Sequence, residues 1–187
     1  MKIGILQCDD VMDSLQPAHG NYPEMLGALL REQDATLEIA LYPVHRGVLP
    51  AAPGECDGYI TTGSRHGVND GLAWIAALQD FVVALHAARH KLVGICFGHQ
   101  MMARALGGAV EKSDKGWGVG MSFNDVLVKK PWMDPFKPSI DLVVSHQDQV
   151  TRLPPGAEVL ASSRFCPVYM MQVGEHFLGV QGHPEFC

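Results

Sequence analysis

Apolar positions in the first half of the chain alternate between short strand-like runs and helix-like stripes. Within residues 22–32 they recur three and four residues apart, which is the spacing of one face of a helix. Strands and helices that alternate in this way predict an α/β fold with a central, mostly parallel sheet and helices on both faces. The predicted elements are strands Lys2–Gln7, Thr36–Leu41, Gly58–Thr61 and Lys91–Ile95, and helices Tyr22–Glu32, Leu72–Arg89 and Gly98–Leu106.

The pattern changes after Gly108, where short apolar runs follow one another with Gly and Pro turns between them. We therefore expect a C-terminal part that is richer in β-strands. No internal repeat, low-complexity tract or long linker divides the chain, so residues 1–187 are expected to form a single domain. The predicted strands of this part are Gly118–Lys129, Asp141–Ser145, Ala157–Ser162, Val168–Val173 and His176–Gln181.

Composition and charge indicate which partners, location and cysteine chemistry to expect. The formal net charge is −6 and the 14 Lys and Arg residues form no run, so we expect no nucleic-acid partner. No stretch approaches 18 uncharged apolar residues, so we expect no membrane partner and a cytoplasmic location. The five cysteines are an odd number without a C-x-x-C pair, which favours reduced thiols over disulfides or a zinc site.

One short segment joins a predicted strand to a predicted helix and carries a cysteine between two glycines, Gly94-Ile95-Cys96-Phe97-Gly98. This is the sequence form of a nucleophile elbow, a sharp turn at which side chains two residues either side would collide with the nucleophile, and glycine at both positions removes that collision. The helix that follows would direct its positive end at the sulfur and favour a thiolate. The amide of Phe97 would be free to bind an oxyanion. Taken alone, the segment is equally compatible with a buried structural thiol.

A nucleophilic cysteine needs a base, and the chain has nine histidines. His86 and His90 lie four residues apart on a predicted helix, but no third ligand is patterned with them, so a solvated helix face is favoured over a metal pair. His99 is expected to face away from the thiol. His183 precedes a proline that keeps it extended, which places Glu185 on the same side. A carboxylate there can accept the Nδ1–H and orient the ring, although a surface His-Pro-Glu turn is the alternative.

Several segments together resemble the class I glutamine amidotransferases, and in particular the stand-alone group related to the amidotransferase domain of GMP synthase. The similarity runs through nearly the whole chain and implies the flavodoxin-like fold of that family. Its most specific part is the pairing of the elbow with a distant His-Pro-Glu. The segments that carry it are GICFGHQ followed by MMARALGG, TTGS at residues 61–64, GWGVG at 116–120, SHQDQV at 145–150 and QGHPEF at 181–186.

The resemblance implies a reaction and a role for each matching residue. Cys96 would attack the side-chain carboxamide of glutamine, His183 would move protons and Glu185 would orient His183. Ammonia would leave, and water would then hydrolyse the γ-glutamyl thioester without any metal or organic cofactor. The further roles implied are an oxyanion hole at the amides of Gly63 and Phe97, substrate contact at Gln100, and a hold on the amino-acid end of glutamine at Ser145 and His146.

This chain departs from its relatives at two places. Arg65-His66 follows the glycine turn, where many relatives have proline and a small residue, and this can alter the substrate. The sequence also stops two residues after Glu185, where relatives continue for several dozen residues, mostly as a helix, so the usual C-terminal helix is expected to be lacking.

The destination of the ammonia is open. The chain has no G-x-x-x-x-G-K-[ST] loop for ATP, so a synthase that used the ammonia would be a separate chain. Two alternatives stand beside the amidotransferase: a γ-glutamyl hydrolase or peptidase that uses the same three residues, and a non-catalytic regulatory member of the family. The intact Cys96, His183 and Glu185 argue against the regulatory alternative.

Overall fold

A nine-stranded sheet runs through the molecule in the computed structural model, which describes residues 1–186. Its strand order is β2-β1-β3-β4-β11-β10-β9-β6-β7, and a separate two-stranded sheet pairs β5 with β8. The strands are β1 (Lys2–Gln7), β2 (Glu38–Pro43), β3 (Gly58–Thr61), β4 (Lys91–Ile95), β5 (Ala109–Lys112), β6 (Gly118–Val126), β7 (Ser139–His146), β8 (Asp148–Arg152), β9 (Ala157–Ser162), β10 (Met170–Val173) and β11 (Phe177–Val180).

Within residues 1–186, four α-helices accompany the sheet. Helix α2 begins at a capping box in which the Asn21 side chain accepts the Tyr22 N–H and the Glu24 carboxylate accepts the Asn21 N–H. No helix of the described residues is both long and apolar enough to cross a membrane. The helices are α1 (Gln16–His19), α2 (Tyr22–Gln33), α3 (Ala73–Ala87) and α4 (Phe97–Ala105), with 3₁₀ turns at Val44–Arg46 and Pro53–Glu55.

The first five strands of the sheet order, β2 to β11, are mutually parallel, whereas β10, β9, β6 and β7 pair antiparallel. Two apolar cores cover opposite faces of the sheet, because successive residues of a strand point to opposite sides. Leu6 and Tyr59 join the core beneath α3 and α4, whereas their neighbours Ile5 and Ile60 join the core beneath α2. The predicted α/β class, with helices on both faces, is confirmed.

The predicted elements are present, with ends that differ by a few residues. Helix α3 is shorter than the predicted Leu72–Arg89, because Arg89 adopts a φ of 57° and ends the helical geometry. Strand β6 ends at Val126 rather than Lys129. The small β5–β8 sheet was not predicted. Its strands lie 36 residues apart, from Lys112 to Asp148, and pair only through the tertiary fold.

The prediction that the C-terminal part is richer in strands is confirmed, since β5 to β11 all follow Gly108. This part also completes the site described below. Strand β11 lies beside β4 in parallel register, with Val180 opposite Ile95. The carboxyl end of β11 therefore lies next to the elbow, which places residues 181–185 close to Cys96.

Candidate active site

Cys96 lies in the turn between β4 and α4 with a strained backbone. Its φ of 49° and ψ of −98° fall where L-residues are rare, and the cost of such a conformation is on the order of 1–3 kcal/mol. The sheet holds Cys96 in this strained conformation, because the Cys96 N–H donates to the Val180 carbonyl at 2.8 Å. The side chain is 6% exposed. The elbow predicted from the sequence is therefore present.

Gly94 and Gly98 are required for a reason other than the one predicted. We expected side chains at these positions to collide with the nucleophile. A Cβ on Gly94 would instead lie 2.6 Å from the backbone carbonyl of Gly98, and one on Gly98 would overlap the Thr61 side chain. The glycines thus let the first turn of α4 pack directly against β4 and β3.

His183 is held on several sides. Its backbone N–H donates to the Val143 carbonyl at 2.9 Å, and its Nδ1 lies 2.8 Å from Glu185 Oε1. The Phe186 ring stacks on the imidazole with centroids 4.3 Å apart and planes 6° from parallel. The residue is only 4% exposed. Because the Glu185 carboxylate accepts the Nδ1–H, the opposite ring nitrogen is left for the hydrogen bond with Cys96.

The protonation of His183 is set by opposing effects. Burial by itself lowers the pKa of His183, but the hydrogen bonds and negative charges of Cys96 and Glu185 outweigh it and raise the pKa to about 10. The imidazole is therefore protonated at neutral pH. Glu185 Oε2 is buried and has no hydrogen-bond partner among the described residues, so Oε1 carries the contact with the ring.

Of the two predicted oxyanion-hole residues, Phe97 directly follows Cys96 in the chain and Gly63 lies beside His183. Phe97 is the first residue of α4, where backbone N–H groups have no acceptor within the helix. Gly63 follows β3, and its carbonyl accepts the Thr62 hydroxyl at 2.9 Å. A Cβ on Gly63 would lie 2.7 Å from His183 Cε1. The structure places both residues at the site, and their role as an oxyanion hole stays a prediction.

Replacement of Gly63 by alanine is expected to lower kcat/KM for glutamine hydrolysis, the activity that the family resemblance implies, by about 100-fold, because misplacement of the predicted base His183 by about 1 Å has that effect. The added Cβ meets a ring that Glu185 and Phe186 prevent from moving freely. Steady-state kinetics measures the loss. Gly54→Ala is the control, since a Cβ there has nothing within 4 Å. Wild-type kinetics in Gly63→Ala would contradict the packing described here.

The three predicted substrate-binding residues line the same cleft. Gln100 on α4 is buried, and its Nε2 donates to the Asp148 carbonyl at 2.8 Å and to Gln181 Oε1 at 3.1 Å. Ser145 on β7 is exposed. His146 is buried with Nδ1 3.1 Å from the Asp148 carbonyl, and burial lowers its pKa. All three lie where predicted, and their contact with a substrate stays a prediction.

The other histidines considered as bases or ligands take part in different contacts. His99 is buried against β11, and its Nε2 is bonded to the Val168 carbonyl at 3.0 Å. His86 Nδ1 lies 3.0 Å from His176 Nε2, and the two rings stack. Within residues 1–186, no cluster of three or more His, Cys, Asp or Glu side chains is placed to hold a metal ion.

The cleft above Cys96 has a volume of about 1270 Å³. Its rim includes Arg65. This is one of the two residues after the glycine turn at which the chain differs from the family that it resembles. The backbone and Nε N–H groups of Arg65 both donate to Asp9 Oδ2 at 2.8 Å. Burial opposes ionisation of Asp9, but these bonds lower its pKa. Arg65 is therefore anchored by Asp9 at the mouth of the cleft.

Two residues that were not predicted as part of the site contact His183 and Cys96. Phe186 stacks on His183, and Gln181 Nε2 donates to Cys96 Sγ at 3.4 Å. The extended path predicted for residues 183–185 was wrong, since Gln181 and Gly182 form a bend and Pro184 and Glu185 form a turn. The turn, rather than an extended chain, brings the Glu185 carboxylate to the His183 ring. No local alternation therefore indicated Gln181, whose contact with Cys96 depends on the tertiary fold.

Comparison with known proteins places this geometry in context. Residues 68–187 match the sequence model of the family described as "Glutamine amidotransferase class-I". The chain is 35% identical over 144 residues to gamma-glutamyl peptidase 3 of Arabidopsis thaliana, covering 70% of this chain and 55% of that protein. It is 34% identical over 132 residues to a subunit of the glutamine-hydrolysing GMP synthase of Sulfolobus acidocaldarius, covering 70% and 68% respectively.

The chain thus spans about half the length of the gamma-glutamyl peptidases that it matches. A crystal structure of a glutamine amidotransferase from Thermotoga maritima superimposes with a TM-score of 0.81 at 19% identity, covering 98% of this chain and 76% of that one. At this identity the structural match shows the shared fold.

Proposed function

The chain belongs to the class I glutamine amidotransferase family, and from this premise we propose that it hydrolyses the side-chain amide of glutamine through a thioester on Cys96. The observation that carries the proposal is the chain of contacts from Cys96 to His183 to Glu185 on the floor of an open cleft. Nucleophile, acid–base group and orienting carboxylate are the set that acyl transfer by a cysteine needs.

The reaction proceeds in two halves. The Cys96 thiolate attacks the amide carbon, the tetrahedral intermediate collapses, and His183 donates a proton to the nitrogen that leaves as ammonia. Water then loses a proton to His183 and attacks the thioester, which yields glutamate and restores the thiolate. The amides of Phe97 and Gly63 stabilise the oxyanion in both halves.

Gln100, Ser145 and His146 lie on the side of the cleft that we assign to the amino-acid end of the substrate. The Gln100 amide nitrogen is engaged by the protein itself, so its Oε1 is the atom we assign to a substrate ammonium group. The similarity to a subunit of a GMP synthase supports a synthase as the consumer of the ammonia.

A second candidate function is hydrolysis of γ-glutamyl peptides or amines, in which an amine leaves in place of ammonia. The cleft of about 1270 Å³ favours it, because that volume exceeds the roughly 300–1,000 Å³ of pockets that hold drug-sized ligands. The similarity to plant gamma-glutamyl peptidases points in the same direction. Both candidates share the Cys96 thioester and differ in the leaving group.

We expect acid quenching during turnover of glutamine to trap a γ-glutamyl group on Cys96, detected by peptide mass spectrometry. A parallel kinetic comparison uses glutamine and a panel of γ-glutamyl dipeptides at equal concentrations. We expect the larger kcat/KM for glutamine. A dipeptide preferred by tenfold or more would establish the second candidate instead. If no substrate were turned over and none left an adduct on Cys96, both candidates would fail and the regulatory alternative would gain.

A further inference from the structure

Gln181 is a buried polar side chain beside the nucleophile, and the reaction described above gives it no role. It follows β11, is 0% exposed, and its backbone N–H donates to the Tyr169 carbonyl at 2.8 Å. Its Nε2 donates to Cys96 Sγ at 3.4 Å, which is an ordinary distance for a hydrogen bond to sulfur.

The orientation of the Gln181 amide follows from its other neighbour. Gln100 Nε2 lies 2.8 Å from the Asp148 backbone carbonyl, which can only accept, so this end of Gln100 is the nitrogen. The same nitrogen lies 3.1 Å from the Gln181 side chain, which must therefore present its oxygen there. Gln181 is left with its nitrogen toward the sulfur. Asp148, Gln100, Gln181 and Cys96 thus form a directed chain of hydrogen bonds.

We propose that Gln181 is a positioning residue that donates a hydrogen bond to Cys96 and so favours and orients the thiolate. A hydrogen bond to a charged acceptor is about twice as strong as one between neutral groups, and burial strengthens it further. Gln100 acts one step further away, because it fixes which end of the Gln181 amide faces the sulfur. The inference rests on the proposed function insofar as Cys96 is the nucleophile.

The backbone explains how Gln181 and His183 both reach the sulfur. The Cys96 N–H bonds the carbonyl of Val180, so the next residue along the chain lies beside the elbow. Gln181 and Gly182 form a bend, and His183 then bridges to Val143 with its ring against the same thiol. The titratable side chains around the thiol are His183, Glu185, Tyr22, Cys166 and Tyr169.

The test is the pH dependence of Cys96 alkylation by iodoacetamide, followed by mass spectrometry of the Cys96 peptide. The thiolate is the reactive form, so the midpoint of the profile reports its formation without any substrate. In Gln181→Met we expect the midpoint to rise by about one pH unit and alkylation at pH 6 to slow about tenfold, whereas the alkaline plateau stays within twofold of wild type. Gln181→Glu places a like charge beside the sulfur and is expected to shift the midpoint further.

Gln149→Met is the matched control, because Gln149 is also a buried glutamine and its Nε2 has no hydrogen-bond partner among the described residues. It should keep the wild-type midpoint. An unchanged midpoint in both Gln181 variants would overturn the proposal, even if their thermal stability fell. Should Gln181→Met fail to fold, Gln100→Leu removes the group that orients Gln181 and is expected to shift the midpoint in the same direction.

The outcome is distinguishable from a failure of the proposed function. In wild type and Gln181→Met we also measure glutamine turnover, and we expect kcat to fall several-fold with KM within twofold. A shifted midpoint in a protein that hydrolyses no substrate would refute the function and leave the role of Gln181 standing. Normal thioester turnover with an unshifted midpoint would refute the role of Gln181 and leave the proposed function standing.

Discussion

Cys96→Ala is expected to release no ammonia from glutamine, with turnover at least about 10⁴-fold below wild type, because the residual rate without the nucleophile comes only from binding and the oxyanion hole. The variant should fold. Alanine is expected to keep the same backbone, and the structural loss is the sulfur that accepts the Gln181 amide and is hydrogen-bonded to His183. A buried donor left without a partner costs about 1–3 kcal/mol, so Tm falls by several degrees without loss of the native state.

Ammonia detection together with a thermal melt checks this expectation. Cys56→Ala is the matched control, since Cys56 is also a buried thiol but lies among the apolar side chains around Tyr59. It should retain turnover close to wild type. Glutamine hydrolysis at the wild-type rate in Cys96→Ala, or its loss in Cys56→Ala alone, would contradict the proposed mechanism.

Glu185→Gln is expected to lower kcat/KM about 10²–10⁴-fold and to narrow the pH profile from the alkaline side. Glutamine keeps the shape and one oxygen for the Nδ1–H of His183 but removes the negative charge. Burial lowers the pKa of His183, whereas Cys96 and Glu185 together raise it to about 10. Removal of one of the two raising groups lowers this pKa, so the imidazolium loses its proton at a lower pH than in wild type.

The measurement is kcat/KM between pH 5 and 10.5 for both proteins. We expect the alkaline limb of Glu185→Gln to lie at least one pH unit below that of wild type. Glu175→Gln, which removes an exposed carboxylate in the turn between β10 and β11, is the control and should leave the profile unchanged. An alkaline limb that did not move would mean that Glu185 does not act through the charge on His183.

Much of the parallel half of the fold was predictable because its signals are local. An apolar strand, a turn and an amphipathic helix each follow from a few consecutive residues, and β1, β3, β4 and α2 begin where the pattern predicted. The ends of elements were less accurate, since they depend on single residues such as Arg89, whose positive φ ends α3. The pairing of β5 with β8 carries no local signal at all.

The candidate site was likewise predictable only where its residues lie close together in the chain. Gly94, Cys96 and Gly98 stand close together in the chain, and His183 and Glu185 are two residues apart, so each cluster was visible as a motif. The reason for the glycines was predicted incorrectly, because the contact between Gly98 and Thr61 joins two distant segments and cannot be seen in either alone. The contact of Gly63 with His183 spans most of the chain and was equally invisible.

The sequence by itself therefore predicted the residues of the candidate site and the family to which the chain belongs, because the elbow and the His-Pro-Glu motif each occupy consecutive positions. Only the tertiary structure decided how the two motifs meet. The parallel register of β11 with β4 places Gln181 and His183 against Cys96. The direction of the Gln181 amide depends on Gln100 and on a backbone carbonyl from β8, and hydrogen bonds between such distant residues exist only once the sheet has formed.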